Sequence, residues 1–303
     1  MNDRSELRIG LALGSGSSRG FSHIGIINEL AAHGVVPDVV CGASVGAMIG
    51  ASLVTGRLEA LEDWARKITR LQAARFLDID AGLTGFVDLE RFNDFLDTYV
   101  AVEGEVIEDR ELIYGTLATD LYTAREVWMT EGPLKMAVWT SMALPGLFPP
   151  KKHQGKWLMD GGLVNPVPVS LCRAMGANFI IAVNLNGDIV GKHFETTHKK
   201  QSDNRSGITG RISSFAREYT GSLFSGADEN EQAPSLINSI AGAINITQDR
   251  ITRSRMAGDP PDILLAPKLS NIGLLELYRA GEAIDEGREC VKRMLPEIER
   301  LLD

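Results

Sequence analysis

Two short apolar runs near the start of the chain each end in a cluster of small residues, and this pattern restricts the fold strongly. The first run, residues 9–13, leads into GSGSSRG at 14–20, and a helical pattern covers 20–33. The second run, residues 38–41, leads into GASVG at 42–46, and an almost wholly apolar helical pattern follows. An apolar run that ends at glycine is typical of a buried strand. Strands that alternate with helices predict a parallel or mostly parallel sheet with helices on both faces.

The rest of the chain continues this alternation, so we expect an α/β fold throughout. Apolar residues at helical spacing and strand-like runs follow one another as far as the C-terminal region. After residue 56 the pattern predicts helices at 58–71, 89–96, 134–141, 234–256 and 274–302, and a further helix after the prolines at 166–168. It predicts two strands within 112–130, around a turn near Asp120, and single strands at 157–159, 179–184 and 262–266.

Residues 186–232 differ from the rest, because they are polar, rich in Gly, Ser and Thr, and free of proline. Such a segment is either a lid or a surface insertion, and both interpretations stay open. Within 192–217, six Lys and Arg residues accompany two acidic ones, and apolar residues follow at near-helical spacing. This favours contact of 192–225 with an anionic membrane surface, with a solvated loop as the alternative.

Composition narrows the class of protein. Hydrophobic residues make up 44% of the 303 positions, and no apolar run approaches the roughly 20 residues that span a bilayer. Residues 1–6 lack the pattern of a secretory signal. Cys41, Cys172 and Cys290 have no metal-binding spacing, so we expect a cytoplasmic protein, peripheral at most to the inner membrane surface. The net charge of −9 argues against nucleic acid as a partner.

Ser44 is the candidate nucleophile, because it lies in Gly-x-Ser-x-Gly between an apolar strand and an apolar helix. A nucleophilic serine in this motif sits on a strained turn, so its neighbours must be small, as Gly42 and Gly46 are. Its hydroxyl then projects over the sheet edge. The pentapeptide alone more often marks a simple turn, whereas its place between strand and helix favours catalysis.

Histidine is a poor candidate for the base that a nucleophilic serine needs. Only one strand–helix unit precedes Ser44, which argues against the common hydrolase fold with its Ser-Asp-His order. His193 and His198 fall in the polar segment, and His153 is flanked by lysine and glutamine. We therefore expect these histidines to be solvated or structural.

Asp160 is the better candidate for the base. It ends a short predicted strand and is followed by Gly161 and Gly162, which allow a close approach of the backbone. An Asp-Gly-Gly sequence alone more often marks a turn. Together with Ser44 it predicts a dyad in which the carboxylate takes the hydroxyl proton directly.

The glycine–serine loop does not have the spacing of a nucleotide site. Gly14, Gly16 and Gly20 give G-x-G-x-x-x-G, whereas dinucleotide-binding loops have G-x-G-x-x-G. Asp38 begins the second strand, where a dinucleotide site requires an acid at its end. Gly-Lys-Ser/Thr is also missing, so we expect neither a dinucleotide nor a P-loop nucleotide in this loop.

Together these motifs resemble those of the patatin-like phospholipases. The loop with its arginine, GASVG, SMALPGLFPP at 141–150 and DGGLVNPVP at 160–168 occur in the order seen in that family. The chain looks most like the bacterial members related to neuropathy target esterase, and the likeness extends to RMAGDPPDIL at 255–264. The resemblance implies a single hydrolase domain over 1–303, folded as a three-layer α/β/α sandwich with a mostly parallel central sheet.

The resemblance also implies an activity and a site. The activity is hydrolysis of acyl esters in phospholipids, lysophospholipids or simpler lipids, by a Ser44–Asp160 dyad without histidine, metal or cofactor. The implied oxyanion hole consists of the backbone N–H groups of Gly16, Ser17 and Ser18. A catalytically weak lipid-binding or regulatory adaptor on the same fold is the alternative. Head group, acyl length and oligomeric state are left open.

The loop departs from the family at two positions, because Ser15 and Ser17 stand where many members have glycine. A serine still offers its N–H, but its side chain narrows the loop and disfavours positive φ. Gly14, Arg19 and Gly20 are interpreted as support for the loop. Arg19 can fix several carbonyls through its planar fork, with contact to a lipid phosphate as the alternative.

Overall fold

Strand β1 (Ile9–Leu13) lies at the centre of the sheet and pairs in parallel with two neighbours. The structure, a computed structural model, describes residues 7–76, 88–188 and 236–302. Strand order is β5-β6-β3-β2-β1-β7-β8, with β4 paired to β3. The other strands are β2 (Val39–Gly42), β3 (Ile113–Asp120), β4 (Glu126–Met129), β5 (Lys151–His153), β6 (Lys156–Asp160), β7 (Phe179–Val183) and β8 (Ile263–Leu265).

Helices cover the sheet between the strands, close to where the sequence predicts them. The loop after β1 turns through one stretch of 3-10 helix (Ser17–Phe21) before the first α-helix begins. The α-helices are α1 (Ser22–Ala32), α2 (Val45–Val54), α3 (Leu58–Lys67), α4 (Arg70–Phe76), α5 (Leu89–Tyr99), α6 (Leu134–Ser141), α7 (Val169–Ala174), α8 (Leu236–Gly258) and α9 (Ala280–Leu302).

Alternate residues of β1 point into two separate cores, which defines the layers. Leu11 and Leu13 pack into a large apolar cluster with α1, α2, α3, α5, α6 and α9. Ala12 points to the other face and packs into a smaller cluster with Leu171 and Cys172 of α7. Successive side chains of a strand face opposite sides, so one strand joins both cores. The predicted three-layer α/β/α sandwich is confirmed.

The sheet is mixed at one edge. Strands β1, β2, β3, β7 and β8 are parallel, as predicted, whereas β4 and β6 run antiparallel to β3 and β5 runs antiparallel to β6. The sequence analysis missed β5, because Lys151–His153 carries no apolar residue to mark it as a strand. Asp160 therefore ends a strand of the antiparallel edge.

Two regional predictions fall mostly or wholly outside the described residues. The polar segment 186–232 is described only as far as residue 188, and the membrane-contact region 192–225 is not described. In the part of the chain that the structure describes, no helix combines the length and apolar character that crossing a membrane requires.

Candidate active site

Ser44 joins β2 to α2 in a strained backbone conformation, with φ 56° and ψ −123°. Its flanking glycines are required by contact: a Cβ on Gly42 would lie 2.3 Å from the backbone of Gly46, and one on Gly46 would lie 2.1 Å from the carbonyl oxygen of Leu13. The Ser44 N–H donates to Ser141 Oγ at 3.0 Å. These contacts hold the turn that presents the Ser44 hydroxyl.

The hydroxyl of Ser44 and the carboxylate of Asp160 form a direct hydrogen bond. Ser44 Oγ donates to Asp160 Oδ2 at 2.6 Å, and the Gly162 N–H donates to Asp160 Oδ1 at 2.7 Å. A Cβ on Gly161 would lie 2.2 Å from the carbonyl oxygen of Leu117, so only glycine fits after the aspartate. The structure thus brings together the two residues that the sequence analysis paired.

The surroundings of Asp160 favour a proton-accepting carboxylate near neutral pH. The residue is 0% exposed. Burial raises the pKa of Asp160 to about 7, against the opposing effect of hydrogen bonds from Ser44 and Gly162. A general base is most effective when its pKa lies near the working pH.

Two residues of the loop 14–20, Gly16 and Ser17, differ from their neighbours in the pairing of their backbone N–H groups. Four other N–H groups are occupied within the protein: Gly14 on Val183 O, Ser15 on Pro166 O, Ser18 on Leu274 O and Arg19 on Gly16 O. In the described residues no acceptor pairs with the N–H of Gly16 or Ser17, and both residues line the cavity that contains Ser44. The N–H of Ser18, implied as a third donor, is instead bound to Leu274 at 3.1 Å.

Buried polar side chains hold this loop from behind. Arg19 is 2% exposed, and its Nε donates to the carbonyl of Gly16 at 3.2 Å. His23 binds the carbonyl of Gly14 through Nε2 at 2.8 Å, and burial lowers the pKa of His23 to about 4, so the ring is neutral at pH 7. A Cβ on Gly20 would lie 2.3 Å from Val45. These contacts fix the position of the loop 14–20, as predicted for Gly14, Arg19 and Gly20.

An apolar cavity opens beside Ser44, with about 860 Å³ of empty space if the part open to solvent is included. Aromatic rings form much of its wall: Trp64 and Phe95 lie 4.7 Å apart between ring centroids, as do Phe92 and Phe148. The other lining residues are mainly aliphatic: Phe21, Val45, Met48, Met142, Leu144, Leu147, Ile244, Leu274, Leu275 and Leu277, with Gln248. Such a wall suits a hydrocarbon chain.

The described residues contain no cluster of three or more His, Cys, Asp and Glu side chains that could hold a metal ion. The three cysteines are free and buried. Of the candidate bases, Asp160 contacts Ser44, whereas His153 lies on β5. His193 and His198 lie outside the described residues.

Sequence reasoning missed three residues that shape the site. Ser141 accepts the Ser44 N–H, Leu274 accepts from the loop through its carbonyl, and Asn245 binds Arg19 Nη2 at 2.8 Å. Ser141 begins the SMALPGLFPP stretch, so that motif carried a usable signal. Leu274 acts through its backbone, which no side-chain pattern records. Asn245 lies on α8, and an asparagine in a helix does not by itself predict a role in a site.

Residues 11–173 match the family model described as "Patatin-like phospholipase". The chain belongs to the patatin-like phospholipase family. The matched range contains the glycine–serine loop, Ser44 and Asp160, and the resemblance drawn from the motifs is confirmed.

Relatives of this patatin-like chain include proteins of the NTE group. An NTE family protein of Mycobacterium tuberculosis is 29% identical over 346 residues, covering 97% of this chain and 93% of that protein. The neuropathy target esterase of Drosophila melanogaster is 33% identical over 207 residues, covering 66% of this chain but 14% of the fly protein. Among solved structures, VipD from Legionella pneumophila has a TM-score of 0.46 at 14% identity, covering 96% of this chain and 67% of VipD.

Proposed function

We propose that this protein hydrolyses acyl esters of lipids, as a phospholipase A, a lysophospholipase or a related carboxylesterase, with Ser44 as nucleophile and Asp160 as base. The observation that carries the proposal is the 2.6 Å hydrogen bond from Ser44 Oγ to Asp160 Oδ2 beside an apolar cavity. Membership of the patatin-like phospholipase family supports the reaction class.

The reaction begins when the ester carbonyl carbon reaches Ser44 Oγ. Asp160 accepts the hydroxyl proton as the new C–O bond forms, and negative charge develops on the former carbonyl oxygen. Gly16 and Ser17 line the same cavity, and their backbone N–H groups are the proposed donors to this oxyanion. Asp160 returns the proton to the departing alcohol, which leaves an acyl-serine.

A water molecule completes the cycle. Asp160 accepts a proton from the water as its oxygen attacks the acyl-serine, and the same donors stabilise the second oxyanion. The proton then returns to Ser44 Oγ, and the free fatty acid departs. Every proton transfer uses the one carboxylate, which is why a pKa near neutrality matters more here than in a site with histidine.

The cavity wall supports a lipid as the acyl donor. Burial of a hydrocarbon chain is favourable by about 0.8 kcal/mol for each CH₂ group, so an apolar cavity beside the nucleophile selects esters with long acyl chains. Phe92, Phe95 and Phe148 supply flat apolar surface on which such a chain can lie.

The test is covalent labelling with a fluorophosphonate, followed by mapping of the adduct. We expect the label on Ser44, release of fatty acid from a panel of phospholipids and lysophospholipids, and a roughly 10⁴-fold loss of rate in Ser44→Ala and Asp160→Asn. His153→Ala is the control and keeps wild-type activity. Folded protein whose Ser44 remains unlabelled contradicts the proposal and favours a non-catalytic adaptor.

A further inference from the structure

The buried face of α8 is polar where it meets the catalytic loops. Asn245, Gln248, Asp249 and Thr252 are each 7% exposed or less, and their spacing places them on one face of the helix. A helix that packs on a protein body normally buries an apolar stripe. Two of these side chains bind partners outside the helix: Asn245 accepts from Arg19, and Gln248 accepts from Asn186.

One of these side chains, Asn245, binds a residue of the glycine–serine loop. Arg19 Nη2 donates to Asn245 Oδ1 at 2.8 Å across 226 positions of sequence. The same guanidinium donates from Nε to the carbonyl oxygen of Gly16, to which the Arg19 backbone N–H also donates, each at 3.2 Å. Asn245 therefore fixes the side chain that fixes the Gly16 carbonyl.

The Gly16 carbonyl belongs to the same peptide unit as the Ser17 N–H. A trans peptide is planar, and its carbonyl and N–H point in opposite directions. Two donors that hold the carbonyl on one side consequently set where the N–H points on the other side. They also polarise the peptide, which strengthens the N–H as a donor.

The partner of Arg19 on α8 is a neutral amide, and among the described residues no carboxylate pairs with the guanidinium. Burial lowers the pKa of Arg19 to about 10, without a contribution from any acidic group, so the side chain stays protonated at pH 7. A buried arginine is normally paired with a carboxylate. In the described part of the chain Arg19 has no such partner, and its positive charge lies beside the Gly16 carbonyl.

We infer that Asn245 is a positioning residue for ester hydrolysis: its amide orients Arg19 against the Gly16 carbonyl without neutralising it, so that the Ser17 N–H and the guanidinium charge together stabilise the oxyanion. The inference rests on the proposed function, because an oxyanion exists only during acyl transfer.

Two substitutions separate orientation from charge. Asn245→Asp keeps an acceptor for Arg19 but adds a negative charge, and Asn245→Leu removes the acceptor. Thr247→Val on the exposed side of the same helix is the matched control. The readouts are kcat and KM on a soluble short-chain p-nitrophenyl ester, the affinity for a trifluoromethyl ketone that forms a tetrahedral adduct with serine, and the unfolding temperature.

We expect Asn245→Asp and Asn245→Leu each to lower kcat by roughly ten- to a hundredfold, less than the loss of an oxyanion donor itself. KM stays within about twofold, and the affinity for the trifluoromethyl ketone falls by the same factor as kcat. Asn245→Asp unfolds no earlier than the wild type, because it adds an ion pair to Arg19. Thr247→Val matches the wild type in all three measurements.

Wild-type kcat in Asn245→Asp overturns the inference, and so does a loss confined to KM or one explained by a lower unfolding temperature in both variants. Such results leave the proposed function intact if the wild type hydrolyses the ester and Ser44→Ala does not. An inactive wild type, or an active Ser44→Ala variant, overturns the proposed function and this inference with it.

Discussion

The hydroxyl of Ser17 donates a 2.5 Å hydrogen bond to the carbonyl oxygen of Leu274, 257 positions further along the chain. The same carbonyl accepts from the Ser18 hydroxyl at 2.7 Å and from the Ser18 N–H at 3.1 Å. Ser17 has φ 52°, a conformation that glycine adopts more easily. Serine at this position has a strained backbone, but its side chain forms a hydrogen bond that joins the glycine–serine loop to the segment before α9. We call this hydrogen bond the side-chain tie.

Replacement of Ser17 separates strain from this tie. Ser17→Ala keeps the strain and loses the hydrogen bond, and we expect it to lower the free energy of unfolding by about 1 kcal/mol and kcat several-fold. Ser17→Gly relieves the strain as it loses the bond, so its stability stays close to that of the wild type. Chemical denaturation and ester kinetics measure both effects. Equal stability of the alanine variant and the wild type contradicts a structural role for the tie.

The pH dependence of the rate follows from the buried carboxylate. Burial raises the pKa of Asp160 to about 7, and in its proposed role as the base it accepts a proton only when deprotonated. We expect kcat/KM on a soluble ester to rise with pH and to reach half its maximum near pH 7. The labelling rate of Ser44 by a fluorophosphonate follows the same curve. A half-maximum near pH 4, the ordinary range of a carboxylate, contradicts the role given to burial.

The buried carboxylate of Asp160 also predicts how the stability of the protein depends on pH. The folded-state pKa of Asp160 lies above its unfolded value, so the wild type loses stability as pH rises from about 4 to 7 and then stays at that level. We expect Asp160→Asn to raise the free energy of unfolding by on the order of 2–4 kcal/mol at pH 8 and by less at pH 5. Thermal unfolding at the two pH values checks the sign. If Asp160→Asn is less stable than the wild type at pH 8, the predicted sign is wrong.

The close approach of α2 to β1 makes Gly46 irreplaceable. A Cβ there would lie 2.1 Å from the carbonyl oxygen of Leu13, so Gly46→Ala must displace the strand or the helix. We expect a loss of at least about 3 kcal/mol and no activity. Gly242→Ala on α8 is the control, because nothing lies within 4 Å of its Cβ position, and alanine gains up to about 1 kcal/mol in a helix. Similar unfolding temperatures for the two variants contradict the steric account.

The cavity predicts a dependence on acyl length that one substitution can alter. Leu147 is a half-buried part of the cavity wall, and Leu147→Trp reduces the space without disturbing the fully buried core. We expect kcat/KM to fall roughly tenfold for palmitoyl esters and to change little for butanoyl esters. Val36→Trp, at a position that is 63% exposed and outside the cavity wall, is the control. An equal effect of Leu147→Trp on kcat/KM for palmitoyl and butanoyl esters would show that the acyl chain binds elsewhere.

Residues whose role depends on local sterics were predictable from the sequence. Ser44 with its two glycines, and Asp160 before Gly161, follow from the need for small residues at tight turns. The parallel strands follow from apolar runs. Strand β5 was not predictable, because Lys151–His153 joins the sheet only through its pairing with β6. Asn245 was not predictable either, since its partner Arg19 lies 226 positions away and only the folded chain joins them.

The proposed nucleophile and the proposed base lie on strands with opposite kinds of pairing. Ser44 follows β2, which lies inside the parallel sheet. Asp160, 116 positions further along, ends β6, which pairs with β3 in antiparallel fashion. Pairing between distant segments is the slow part of folding, because loop closure must come first. Ester cleavage during refolding should consequently lag behind the recovery of helix signal. Under the proposed mechanism a partly folded chain does not cleave lipid esters, since Ser44 gains its base only after the edge of the sheet is complete.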